Sequence, residues 1–262
     1  MKRKFLGDVR SSILLSSVLL LAACGGGDDG GSSPVPNAAV GGLWEGTTTV
    51  AGQTFEAVGL VAEDGRGYVL LEDGAMYWGS VTSSGNQIMA ALTGAPERDL
   101  AFADGSISGT GSISGTIQPR ASISANTSFT TALGSTTTGT VALNYVPSYN
   151  DDSSLALIAG NYVDVAWYFG GMFNIASNGD IFFQDPGMFC VINGRVSIIN
   201  PSYNAYGIEY TYSNCIADFA FLNGITFDGL ATYDADTGLF IMFADGLEAG
   251  VPTWQIFLLE RQ

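Results

Sequence analysis

Glu63-Asp64-Gly65-Arg66-Gly67-Tyr68 lies between two runs of alternating apolar and polar residues, and Ser177-Asn178-Gly179-Asp180-Ile181-Phe182 repeats the arrangement further along the chain. An Asx-Gly pair between alternating runs is the strongest short-range signal for a β-hairpin. The Asx side chain bonds its own backbone, and glycine accepts a positive φ at little cost. The surroundings repeat as well. Gly42-Leu43-Trp44 precedes the first turn and Gly160-Asn161-Tyr162 the second, while Gly74-Ala75-Met76-Tyr77 and Gly187-Met188-Phe189-Cys190 follow. An opening strand, an Asx-Gly hairpin and a Gly-x-aromatic strand recur in order, which reads as two copies of one β unit.

Working outward, short alternating runs continue through both copies, with further turns at Asp73-Gly74, Asp104-Gly105, Asn223-Gly224 and Asp245-Gly246. The first module, residues 42–147, carries predicted strands at 43–50, 54–62, 67–72, 75–82, 87–92, 121–129 and 138–145. Residues 105–117, Gly-Ser-Ile-Ser-Gly-Thr-Gly-Ser-Ile-Ser-Gly-Thr-Ile, have the glycines of a phosphate loop, but no lysine or helix start follows. A narrow strand or hairpin with close backbone approach fits them better. A polar linker, 148–154, leads to the second module, 155–262. Its predicted strands are near 160–167, 172–176, 181–184, 188–199, 206–216, 225–233, 239–244 and 253–259. The expectation is an all-β chain of two tandem antiparallel modules, each a small barrel or sandwich, or one larger merged barrel.

The beginning of the chain is different in kind. Lys2, Arg3, Lys4 and Arg10 precede an apolar run from Ile13 to Ala23, too short to span a bilayer as a helix and of signal-peptide length. It ends in Leu21-Ala22-Ala23-Cys24, which resembles the lipobox of bacterial lipoproteins. The resemblance implies cleavage after residue 23 and acylation of Cys24, with residues 24–41 as a Gly/Ser/Asp tether. Two or three acyl chains give stable anchoring where one binds only reversibly. In that family an Asp after the cysteine tends to retain the protein at the inner membrane. Gly25 stands there, so the expected address is the outer membrane, on either face.

Removing residues 1–23 takes four of the nine basic residues and one of the 25 acidic ones, leaving five against 24, a formal charge of −19. Such a chain is repelled by nucleic acid, which is excluded as a partner. The membrane is engaged through the lipid on Cys24, and a further protein or small-molecule partner is expected without being named. Cys190 and Cys215 then remain as a pair, read in an exported protein as a disulfide. A hairpin turning at 201–204 pairs residues whose numbers sum to about 405, which sets the two cysteines opposite each other. A turn at Asn193-Gly194 would spoil that register.

Chemistry is narrowed by what is missing. The sequence has no histidine, and its only lysines, Lys2 and Lys4, leave with the leader. That excludes Ser-His-Asp triads, His-bound zinc, Schiff bases and the P-loop, and no cofactor or metal is expected. Carboxylate hydrolysis remains available in principle, but most acids sit in turns and no pair stands out. Asp234-Ala235-Asp236-Thr237-Gly238 begins like a calcium loop, yet Ala244 stands where the closing glutamate belongs, so a hairpin turn is the better reading. Trp44, Tyr77, Trp78, Trp167, Tyr168, Phe169 and Trp254 are candidates for a ligand cup or for core. The expected function is non-catalytic: an anchored envelope protein with binding or surface modules, similar in architecture to barrel lipoproteins of the transferrin-binding protein B class. A periplasm-facing accessory or inhibitor is the alternative, and a carboxylate hydrolase comes third.

Overall fold

The computed structural model of the protein describes residues 37–166, 171–184 and 189–262. The leader, the lipobox with Cys24, most of the tether, Trp167, Tyr168, Phe169 and residues 185–188 lie outside them. The first eight strands are β1 (Gly42–Val50), β2 (Gln53–Val61), β3 (Arg66–Leu71), β4 (Met76–Ser84), β5 (Gln87–Ala95), β6 (Gly109–Gln118), β7 (Ser122–Thr131) and β8 (Thr136–Val146). Each pairs antiparallel with the next, and β8 pairs back on β1 to close a barrel. The second eight are β9 (Gly160–Asp164), β10 (Met172–Ile175), β11 (Asp180–Gln184), β12 (Val191–Ile198), β13 (Tyr206–Ser213), β14 (Thr226–Asp234), β15 (Leu239–Glu248) and β16 (Val251–Arg261). They close in the same way, β16 on β9. The two modules are therefore two closed barrels and not one merged barrel. Gly105 belongs to the turn before β6, so the small-residue run is part turn and part strand.

The hairpins follow from the turn residues. Ala62 N–H donates to Arg66 O (2.9 Å), and Gly65 N–H donates to Ala62 O (3.0 Å). Ala176 N–H donates to Asp180 O and Gly179 N–H to Ala176 O, both at 2.9 Å. The same two bonds recur around Gly74, Gly105 and Gly134. Where the turn holds an Asx, its Oδ1 accepts the backbone N–H two residues on: Asp64 from Arg66, Asp73 from Ala75, Asp104 from Ser106 and Asn178 from Asp180. This is a type I turn closed by a residue of positive φ, the three-residue hairpin solution. The turn acids are thus used locally.

One register differs from the sequence reading by a single residue. β12 and β13 pair Val191 with Ser213 and Val196 with Ile208, so partners sum to 404, and Asn193-Gly194 stays within the ladder. Cys190 and Cys215 lie just beyond the last pair, and Phe189 and Asn214 take positive φ there (56° and 58°). Those left-handed turns bring the sulfurs together despite the offset, and the disulfide forms with Cα atoms 4.0 Å apart.

The barrels share a core. Tyr68, Met76 and Trp78 of the first pack in one cluster with Leu230, Phe243, Trp254 and Ile256 of the second. Trp254 donates its indole N–H to Ala95 O (3.1 Å) and Pro96 O (2.9 Å) across this seam. The connection from β8 runs through a 3-10 turn, Pro147–Asn150, and a one-turn helix, Leu155–Ile158, capped by Ser154 Oγ accepting from Leu157 N–H. Tyr149, fully buried, donates to Val61 O (3.0 Å) and Glu63 Oε2 (2.7 Å). Buried Asn204 ties the same segment to the second barrel, donating to Ser148 O and Tyr233 O while accepting from Tyr233 N–H.

Candidate functional site

An eight-stranded barrel is just wide enough for side chains to fill it, or to leave room for one small ligand. The two barrels take opposite options. The second is filled by rings: Phe173 stacks on Phe183 at 4.1 Å, Tyr210 on Phe227 at 5.4 Å, and Phe257 lies edge-on to Phe173 at 4.9 Å. Its buried hydroxyls are satisfied, since Tyr210 and Tyr212 both donate to Gln255 Oε1 and Tyr162 donates to Ile158 O.

The first barrel's chamber is lined by fewer rings, Trp44, Tyr68, Tyr77 and Phe129, with smaller groups between them. Ala57, Gly59, Gly67 and Ala90 stand among Val61, Val81, Ile88, Ile123, Val141 and Leu143, and a chamber of about 90 Å³ remains. That is several times the roughly 10–15 Å³ one water needs. Trp44, 1% exposed, lies at its deep end against Tyr145, ring centroids 5.3 Å apart. At that end residues 37–41 cross the barrel. Ala38 N–H donates to Gly85 O (2.9 Å), Ser83 Oγ donates to Ala38 O (2.6 Å), and Ala38 and Val40 pack on the core. At the other end the lining reaches Val50, Thr137 and Thr138, which are half-buried to exposed, so the chamber opens beside the β1–β2 and β7–β8 turns.

Among the described residues, no charged side chain lines the chamber. Its polar groups are hydroxyls (Thr48, Thr127, Thr137, Thr138 and two tyrosines) and the Trp44 indole. Thr48 Oγ1 is committed to Thr140 O (3.1 Å). Burial pushes the Tyr77 hydroxyl up to about 12, so it stays a neutral donor. Trp44 Nε1–H is buried with no hydrogen-bond acceptor among the described residues.

Of the aromatic residues singled out in the sequence, Trp44 and Tyr77 line the chamber, whereas Trp78 and Trp254 belong to the seam between barrels. Asp234 closes a hairpin: its Oδ1 accepts from Asp236 and Thr237 N–H, and its Oδ2 accepts from Thr237 Oγ1. Among the described residues no group of three His, Cys, Asp or Glu side chains is placed to hold a metal. Asp228 and Asp245 are cross-strand partners. Burial, and then Asp228, push the Asp245 carboxyl up, but it receives the Tyr68 hydroxyl at 2.5 Å within the seam. Asp245 thus has its carboxylate committed to Tyr68 of the other barrel, while Asp228 is exposed. Cys190 and Cys215 form a disulfide, and Cys24 lies outside the described residues.

The chamber itself escaped the sequence reading. Its signal is present only in part, Gly59 standing where the second module has Phe173, and it becomes legible only once strand register fixes which positions point inward. Compared with known proteins, the chain matches no protein-family model and no curated protein.

Proposed function

We propose that this is a non-catalytic, lipid-anchored protein of the bacterial outer membrane that holds a small apolar ligand in its first barrel. The observation that carries the reading is the contrast between the barrels: one packed with rings, the other keeping an apolar chamber open at one end. Concave, mainly apolar sites with few polar groups are the usual form of small-molecule sites. Leu21-Ala22-Ala23-Cys24 and the tether after it support the anchoring, since a lipidated cysteine needs slack between membrane and fold. The second barrel and the shared seam serve as a rigid mount.

Filling the chamber tests this. Ala90→Phe and Ala57→Leu point new side chains into it, and either is expected to abolish binding of an apolar fluorophore while the disulfide-bonded second barrel stays folded. Fluorophore binding that is unchanged in both variants overturns the reading.

A further inference from the structure

We infer that the chamber takes an uncharged, mainly apolar molecule bearing one hydrogen-bond acceptor, and that Trp44 Nε1–H binds that acceptor. The inference deepens the proposed function and rests on the chamber being a ligand site.

Charge is excluded by the lining. A carboxylate or ammonium carried into an apolar space without a partner is strongly disfavoured. Among the described residues, no arginine lines the chamber. Arg66 is paired with Asp64, Arg98 with Glu248, Arg120 bonds Tyr203, and Arg261 bonds Leu157 O and Tyr233. A fatty acid or an organic amine therefore finds nothing to neutralise it.

The acceptor follows from Trp44. Indole Nε1–H is a donor only, and a buried donor nearly always has a partner. Here the ring is 1% exposed, lines the deep end, and its N–H meets no acceptor among the described residues. Its neighbour across the strand repeat is Gly42, and a Cβ there would come within 2.5 Å of Nε1. Glycine at 42 makes room for the indole itself, whose edge at Nε1, Cε2 and Cζ2 would strike any Cβ there. A carbonyl, ester or ether oxygen supplied by a ligand completes the bond that the barrel leaves open.

The experiment uses the Cys24→Ala chain, which lacks the acylated cysteine and retains every described residue, with three probes of matched chain: 2-octanone, octane and octanoate. The ketone is expected to bind tightest. Trp44→Phe is expected to weaken it by about tenfold, the worth of one buried hydrogen bond, and to leave octane unchanged. Because Trp44→Phe also alters packing on Tyr145, the indole ¹H–¹⁵N resonance of Trp44 is followed in the unsubstituted ring. It should move downfield with 2-octanone and not with octane. Octanoate binding as tightly as the ketone overturns the exclusion of charge. A ketone indifferent to Trp44→Phe, with a static indole resonance, overturns the role of Trp44. Failure of all three probes to bind the folded protein overturns the ligand reading itself.

Discussion

Gly65 and Gly179 occupy the same position in two different barrels. Each has a left-handed backbone (φ 86° and 90°), and each gives its carbonyl oxygen to a valine N–H on the fourth strand, Val81 or Val196, at 2.7 Å. A side chain at either glycine would strike that valine's carbonyl oxygen. Gly65→Ala and Gly179→Ala are therefore expected to destabilise the protein by at least about 1–2 kcal/mol each, more than either Gly105→Ala or Gly134→Ala. At those two positions φ is also positive, but nothing lies within 4 Å of a new Cβ. Urea unfolding of the four variants checks the ranking.

The disulfide closes a loop of 25 residues in the filled barrel. Constraint of the unfolded chain by a loop of that length is worth about 3.5 kcal/mol. The Cys190→Ser, Cys215→Ser double variant should melt roughly 7–14 °C lower by circular dichroism. A melt unchanged by the double substitution would refute a stabilising role.

Asn204 holds the inter-barrel connection with three side-chain hydrogen bonds from a fully buried position. Its removal in Asn204→Ala leaves the Tyr233 N–H and carbonyl unpaired in the interior. A loss of about 3 kcal/mol is expected. Hydrogen exchange should rise at residues 147–154 and at Tyr233 together, since the one side chain serves both.

Asp245 gives the stability a pH dependence. Its folded-state pKa is raised, by burial first and by Asp228 second, so folding favours the protonated carboxyl. That contribution is present below the ordinary aspartate value of 3.8 and is lost as pH rises through the folded value. Asp245→Asn keeps an acceptor for the Tyr68 hydroxyl without the charge. It is expected to melt higher than wild type at pH 7, with the gap closing as pH falls towards 4. Asp104 runs the other way: the Thr131 hydroxyl, then the Ser106 N–H, hold its carboxyl well below the usual range. Below pH 4, its protonation removes stability in wild type and variant alike.

Cys24→Ala should abolish incorporation of labelled palmitate and move the protein from the membrane to the soluble fraction. Protease shaving of intact and permeabilised cells carrying the wild-type chain then assigns the face. Loss only after permeabilisation would place the barrels in the periplasm, and loss from intact cells would place them outside.

Sixteen strands were readable in order because local rules dictate them. Alternation marks the strands, and Asx-Gly marks hairpins whose side-chain bonds span two residues, as at Asp64 and Asn178, but Asp245-Gly246, expected as a turn, lies within β15 paired to Trp254 and Thr253. Non-local geometry was less legible. Closure of β1 on β8 depends on coiling accumulated over eight strands, and two left-handed residues, Phe189 and Asn214, shift the cysteines one place from the ladder's own register. The chamber depends on both. Ala57 and Ala90 are unremarkable in the sequence and become its wall only when the barrel closes.

Closure also governs how copies of the protein can meet. A sheet that ends in free strands offers unpaired backbone groups to any neighbour, and a population anchored to one membrane surface, as proposed for this chain, would meet its neighbours constantly. Both sheets here end on themselves, β8 on β1 and β16 on β9. A sheet closed on itself offers no terminal strand as a template, which limits strand-to-strand association between copies brought close together.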